Sequence, residues 1–366
     1  MKRSLVRPFL YLEFYKLETR NSKLETRNSK LETRNSKLGA IMSWQATLTW
    51  KNAQKRAQIL QQIRQFFSDR TVLEVETPAL SLGTVTDVHL DAFSSRYNFL
   101  SDSDVEQPAT LYLQTSPEFH MKRLLASGYG SIFQIAKAFR HEEAGRFHNP
   151  EFTMLEWYRL GFDHIELMNE VAELLQAVLS CTQPSQVTYQ QLFLEVVNID
   201  PLIATREQLL TVITNHNKLS DWLIAEQDND ILLQFIFSEV IEPTVGNDAP
   251  CFVYHFPRSQ ASLAKICPED DRVAQRFECY YQGIELANGF NELTNSESQL
   301  QRFQKDNTKR AKLGLSKKPI DKNFISALSH GLPQCSGVAL GIDRLIMLAL
   351  KAKHIDEVIS FPIECA

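Results

Sequence analysis

The sequence predicts an α+β fold in which an antiparallel sheet is flanked by helices. Two observations carry this expectation. Strand-like stretches come in hairpins, at 132–159 and 278–293, with helices between them rather than in strict βαβα alternation. Neither GxGxxG nor GxxxxGK[ST] occurs, so the common parallel-sheet nucleotide folds lose their main support.

Taken in order, Ala53–Asp69 carries Ile59, Ile63, Phe66 and Phe67 at helical spacing. Val72–Pro78 reads as a short strand ending at proline, and residues 83–110 look irregular and polar. Leu111–Thr115 is a strand. Ser116–Ala126 is a helix, with Ser116 as N-cap and Pro117 in its first position. Ile132–Arg140 and Glu151–Arg159 alternate like strands around the charged loop HEEAGRFHNP, and Met168–Leu179 is an amphipathic helix. Residues 181–250 read as helices and connectors with no chemical signature. Ala249–Pro257 is a strand, Glu278–Leu293 a hairpin and Gln299–Leu313 a charged helix. Gly337–Ile342 is a strand running into the helix Asp343–Lys351.

With 366 residues, 43% hydrophobic and 23% charged, the chain has the composition of a globular protein with one large domain or two smaller ones. No run of about 18 apolar residues offers a membrane span. The six cysteines are scattered without a CxxC pair, which suggests neither a zinc site nor a disulfide framework and fits a reducing cytoplasm.

Residues 16–36 read KLETRNS three times, and Lys37-Leu38 begins a fourth copy. One leucine per heptad leaves no coiled-coil seam. Residues 1–41 are therefore expected to be a disordered, repeat-derived extension, with the native start at Met42 and one catalytic domain over 42–366. Charge divides at the same point: ten Lys/Arg against four Glu before Met42, net +6, and 29 against 40 after it, net −11. An acidic body argues weakly against broad contact with nucleic acid.

Three stretches could carry chemistry. Strand periodicity puts Gln134, Ala136, Ala138, Arg140 and Glu142 on one face, with Phe133, Ile135 and Phe139 on the other. The return strand puts Phe152, Met154, Glu156 and Tyr158 on one face. Such a face suits a ligand with a phosphate, a flat ring and an amine, although a solvated face with weak ion pairs explains Arg140 and Glu142 taken alone.

In FECYYQGIELANGFNEL, a two-residue turn at Gln282-Gly283 pairs Tyr280 with Glu285 and Glu278 with Ala287. Glu278 and Glu285 then become diagonal neighbours, two carboxylates suited to Mg²⁺ on substrate phosphates; three exposed glutamates serving solubility are the alternative. Glu292 has the wrong parity for that face unless a bulge at Asn288-Gly289 brings it round. In CSGVALGIDRLIML, small residues including Gly337, Ala339 and Gly341 allow close backbone approach to a ligand, and Arg344 follows in the first helical turn. Tight strand–helix packing is the alternative there. His141, His148 and His330 lack metal-ligand spacing, and no GxSxG or Cys–His arrangement stands out.

FRHEEAGRFHNPEFTMLEWY resembles motif 2 of the class II aminoacyl-tRNA synthetases, and GVALGIDRLIML resembles motif 3. The helix leading into EVETPAL resembles motif 1, part of the dimer interface in that family. QTSPEFHMKRLL and GIELANGFNELTN are similar to the lysyl-tRNA synthetase subclass, and the resemblance covers residues 45–366. Motif 1 begins so soon after Met42 that no anticodon-binding domain fits. The resemblance is therefore to the stand-alone lysyl-tRNA synthetase paralogues, ligases that act on elongation factor P. Ala339, where the synthetases tend to have Gly, agrees.

The resemblance implies a class II catalytic core, cytoplasmic and homodimeric. It implies ATP and Mg²⁺, with lysine, preferably (R)-β-lysine, activated as an adenylate and passed to a lysine of elongation factor P. By position, Arg140 would bind the α-phosphate and Glu142 the adenine amino edge, while Phe152 and Arg344 sandwich the ring. His141, Asn149, Leu286 and Gly341 would complete the nucleotide site, although His141 stands where the family has Asn. Arg140 and Arg344 would be the catalytic pair. Glu278 and Glu285 would hold Mg²⁺. Ser116, Pro117, Glu118, Tyr158 and Glu292 would receive the amino acid, joined by Glu156 and Asn288. Arg146 sits one place off the family's γ-phosphate arginine. A minimal enzyme charging tRNA, and a non-catalytic synthetase-like regulator, are the alternatives; the missing anticodon domain disfavours the first and the intact motifs the second.

Overall fold

A computed structural model describes residues 44–98, 109–141 and 145–366. The expected 1–41 extension and Glu142 lie outside these residues. Cα packing divides the chain into two compact units, one of residues 47–192 with 244–364, the other built around residues 193–243.

The larger unit carries an eight-stranded sheet. Its strands are β1 (Leu73–Glu74), β5 (Ile132–Phe139), β6 (Glu151–Leu160), β7 (Ser185–Thr188), β8 (Cys251–Tyr254), β9 (Arg276–Tyr281), β10 (Ile284–Asn291) and β11 (Cys335–Gly341). They lie in the order β1-β5-β6-β11-β10-β9-β8-β7. A second sheet joins β2 (Leu80–Ser81), β4 (Ala109–Leu113) and β3 (Ser94–Tyr97). The six central strands are antiparallel as expected. Both edges depart from the expectation: β1 pairs β5, and β7 pairs β8, in parallel. Each edge strand is reached through a long connection rather than a hairpin, which frees its direction. The fold is therefore mixed α/β around a mostly antiparallel sheet.

One face of the large sheet is the core. Phe133, Leu155, Trp157, Val338, Leu340, Phe277 and Cys279 pack there with residues of three helices, Trp50–Ser68, His164–Leu179 and Ile342–Leu350. The first helix buries Ile59, Ile63, Phe66 and Phe67, the four positions its sequence spacing marks. It is tied down by Arg56, whose Nη1 lies 2.7 Å from Asp343 Oδ1 while Asp343 Oδ2 accepts the Thr153 N–H at 2.7 Å. The opposite face of the sheet is left for the site.

The helix expected over Ser116–Ala126 runs Glu118–Ala126, with Pro117 as the N-cap rather than in the first turn. Ser116 Oγ still accepts the Glu118 N–H at 3.0 Å, so it serves the helix start from one place further out. Phe119 of this helix stacks on Phe324 of the helix Lys322–Gly331, with ring centroids 4.5 Å apart.

The turn at Gln282-Gly283 forms as expected, with φ of 52° and 72°, and pairs Tyr280 with Glu285. Beyond it the expected Glu278–Ala287 pair is replaced by Glu278–Asn288, because the bulge falls at Leu286, earlier than expected. Leu286 and Ala287 both belong to the core cluster, so two consecutive apolar residues face the same side and the strand must bulge to place them. The bulge also reverses the parity of everything after it. Asn288, Phe290 and Glu292 thereby join Glu278 and Glu285 on the site face.

The smaller unit holds the helices Arg206–Asn215, Asp221–Ala225 and Asn229–Ile236 and a π-helical turn, Phe237–Ile241. Leu209, Ile213, Leu223, Leu232 and Ile236 are buried. A capping box from Thr205 to Gln208 starts the first of these helices.

Candidate active site

Strand register builds the floor of the site as rows of paired residues. One row runs Gln134, Glu156, Ala339, Asn288, Glu278 across β5, β6, β11, β10 and β9. The next runs Ile132, Tyr158, Gly337, Phe290, Arg276. Gly337 is required at its place: a Cβ would stand 2.5 Å from Glu292 Oε1 and drive into the Tyr158 ring. Gly341 is less constrained, since a Cβ there would meet Arg344 Cδ at an ordinary 3.6 Å.

Carboxylates gather over this floor. Ser116 Oγ donates to Glu156 Oε2 at 2.7 Å, and the Tyr158 hydroxyl donates to Glu156 Oε1 at 2.6 Å. Lys122 places its Nζ 2.5 Å from Glu118 Oε1 and 2.5 Å from Glu292 Oε2. Lys122 and Glu292 are buried, at 1% and 0% exposure, whereas Glu118 is partly open. Burial, reinforced by the charge of Glu118, pushes the Glu156 carboxyl up to about 7 against the hydrogen bonds from Tyr158 and Ser116. Burial likewise raises the Glu292 carboxyl, with Lys122 opposing. Burial works against a charged Lys122, but Glu118 and Glu292 outweigh it and hold the ammonium protonated. Burial and the surrounding carboxylates keep Tyr158 a neutral donor.

A second polar group occupies β9 and β10. Glu278 Oε1 accepts from Arg276 Nη2 at 2.5 Å and from Asn288 Nδ2 at 2.9 Å, and its Oε2 accepts from the Tyr280 hydroxyl. Burial raises the Glu278 carboxyl, and the charge of Glu285 adds to the push while Arg276 resists it. Two carboxylates that repel each other across a strand pair, both hard oxygen donors, form a set suited to Mg²⁺ shared with phosphates. Glu285 is also tied to the third motif: Arg344 Nη1 donates to its carbonyl oxygen at 2.8 Å.

The remaining expected nucleotide residues cluster around the loop after β5. The Arg140 guanidinium lies 5.2 Å from the Phe152 ring centroid, and the Arg140 N–H donates to Pro150 O. Arg344 Nη2 meets His148 Nε2 at 2.6 Å, and its Nε donates to Phe147 O at 3.3 Å. The His141 N–H donates to Asp91 O and its ring packs 4.9 Å from Phe93. Two expectations take a different form. Asn149 spends its amide on the chain, donating to Glu151 O at 2.5 Å and accepting the Ile363 N–H at 3.0 Å, so it fastens the C-terminal segment to the loop. Leu286 points its side chain into the core, leaving only its main chain to line a site.

Sequence reasoning missed Lys122 and Arg276. Lys122 stood one helical turn after Glu118, a spacing that signals a pair, but its second partner is 170 positions away in sequence and invisible to local pattern. Arg276 shares strand parity with Glu278 and Tyr280, which could have marked it.

A family model described as tRNA synthetases class II (D, K and N) matches residues 33–364. The chain belongs to the class II aminoacyl-tRNA synthetase family. Within it the chain is similar to proteins named elongation factor P–(R)-β-lysine ligase from Yersinia pestis (strain Pestoides F) and from Yersinia pseudotuberculosis (serotype O:1b). Each is 56% identical over 324 residues, which is 88% of this chain and 98% of the relative. No described helix is long and apolar enough to cross a membrane, all six cysteines are free, and the described residues hold no group of three or more His, Cys, Asp or Glu that could bind a metal.

Proposed function

We propose that the protein activates lysine, preferably (R)-β-lysine, with ATP and transfers the aminoacyl group to a lysine side chain of elongation factor P. The single observation that carries the substrate class is the group Glu118, Glu156 and Glu292. Two carboxylates, Glu118 and Glu292, meet one internal ammonium while Glu156 lies close by, and Glu292 Oε1 has no hydrogen-bond donor among the described residues. Such a surplus of buried negative charge suits a cationic diamino acid.

In the first step the amino-acid carboxylate attacks the α-phosphorus of ATP and pyrophosphate leaves. Little covalent chemistry is asked of the protein, so positioning and charge carry the rate. Arg140 would bind the α-phosphate, and Phe152 and Arg344 would enclose the adenine ring. Glu142 would meet its amino edge, with His141, the Leu286 main chain and Gly341 alongside. Asn149 would act through the loop it fastens. Glu278 and Glu285 would hold Mg²⁺, which when bound supplies charge neutralisation on the phosphates. Ser116 and Tyr158 orient Glu156 by the hydrogen bonds already described. Pro117 would set the helix start that carries Glu118. Glu118, Glu156 and Glu292 would take the ammonium groups.

In the second step a deprotonated lysine ε-amine of the acceptor attacks the adenylate carbonyl, AMP leaves, and an amide forms. No enzyme nucleophile is needed. The resemblance in motif 1 supports a homodimer, and a translation-factor substrate supports a cytoplasmic location.

The test offers ATP and labelled (R)-β-lysine to the protein with elongation factor P and total tRNA side by side. Label on elongation factor P alone is expected. Label on tRNA instead would make the chain a minimal synthetase. Label on neither, with no pyrophosphate exchange, would make it a regulator.

A further inference from the structure

We infer that Lys122 is a positioning residue for amino-acid binding: an internal counter-ion that holds Glu118 and Glu292 in place and aimed before the substrate arrives. The inference rests on the reading of this site as the amino-acid pocket.

Lys122 is buried, and a lone ammonium there would be costly. Its placement is accounted for by two carboxylates at equal distance, 2.5 Å each, one from its own helix and one from the end of β10. The bridge therefore ties the helix Glu118–Ala126 to the strand that carries the pocket floor. Lys122 Nζ also lies 5.2 Å from the Phe290 ring centroid and 5.8 Å from that of Phe324, which leaves little freedom to swing away.

Lys122 takes only one oxygen of Glu292. The other, Oε1, has no donor among the described residues and faces the space that a Cβ on Gly337 would fill. A fully buried carboxylate oxygen left in that condition is expensive unless a ligand donor completes it. Charge counting agrees. Lys122 is one cation beside the three carboxyl groups of Glu118, Glu156 and Glu292, and a diamino acid brings two more ammonium groups to the same cluster. Without Lys122 the buried Glu156 and Glu292 and the partly open Glu118 would face one another with no cation between them, and their repulsion would be uncompensated. Lys122 thus sets both the direction and the charge of the receptor without needing to touch the reacting atoms.

The test compares K122M, which keeps length but not charge, with K122R, which keeps charge but adds bulk. Pyrophosphate exchange is followed while lysine, (R)-β-lysine and ATP are varied separately. In K122M, KM for the amino acid is expected to rise by on the order of 10²-fold, the usual consequence of stranding a buried charge partner. KM for ATP should stay within about twofold, since no nucleotide residue touches Lys122. K122R is expected to keep the amino-acid KM within about tenfold of the parent. A purely space-filling role gives the reverse order, K122M near normal and K122R impaired, and that order overturns the inference. If K122M does not fold, K122R decides alone: an amino-acid KM more than about tenfold above the parent's overturns the inference. Failure of the unmodified protein to activate either amino acid would instead overturn the reading of the pocket itself.

Discussion

Gly337 lies across from Tyr158 in the β6–β11 pairing, and the ring of Tyr158 occupies the space where any side chain at 337 would begin. The absent side chain lets Tyr158 lie flat enough to reach Glu156 and lets Glu292 descend to the floor. Gly337→Ala is expected to raise KM for the amino acid at least tenfold and to cost about 1–3 kcal/mol of stability, the usual range for overpacking. Pyrophosphate exchange and urea unfolding check the two effects. Normal amino-acid binding in that variant would contradict the geometry.

Glu292→Gln should abolish amino-acid activation. The substitution removes the charge opposite Lys122 and leaves a buried ammonium with one partner instead of two. ATP binding, followed by calorimetry, should persist. Pyrophosphate exchange close to normal would count against the assignment of this pocket.

Glu156 makes amino-acid binding depend on pH. Its carboxyl is pushed up to about 7 in the free protein, first by burial and then by Glu118. A bound ammonium favours the ionised form and lowers that value, so binding releases a proton near neutrality. Affinity for the amino acid is therefore full above about pH 7 and falls as the pH drops through it. Tyr158→Phe removes a hydrogen bond that stabilises the carboxylate, which should move the fall to higher pH. A KM for amino acid that is flat from pH 6 to 8, a window spanning the value of about 7, would refute this.

Arg140→Ala should slow adenylate formation by on the order of 10²- to 10³-fold, the loss usual for one transition-state donor. The effect should fall mainly on kcat in single-turnover measurements.

Arg56→Ala tests the fold rather than the chemistry. Asp343 would be left almost fully buried, still holding the Thr153 N–H but without its cation. The expected cost is about 3 kcal/mol, at the low end for breaking a buried pair because Arg56 is partly exposed. A loss under about 1 kcal/mol in urea unfolding would show that the pair is not what fastens the first helix.

Several site relationships were legible because they depend only on strand parity. Gln134, Ala136 and Ala138 do face the same side as Phe152, Met154, Glu156 and Tyr158, since residues two apart share a face whatever the rest of the chain does. The turn at Gln282-Gly283 was equally legible from its residues. The bulge was not: its position depends on which apolar side chains the core takes in, and the core took Leu286 and Ala287 in succession. One residue's shift there carries Glu292 to the site face.

By itself, then, the sequence determined the central hairpins, the faces of their strands and the motifs that mark the family, because these follow from local periodicity and residue type; β3, in a stretch read as irregular, and β7, in one read as helices and connectors, were not legible in it. Only the tertiary structure decided that both edges of the sheet run parallel, that Asn149 fastens the C-terminal segment, and that Lys122 stands between Glu118 and Glu292. Each of these is a pairing between distant stretches of chain. Such pairings are selected by burial and by the need of every buried charge for a partner, quantities that exist only once the chain has closed on itself.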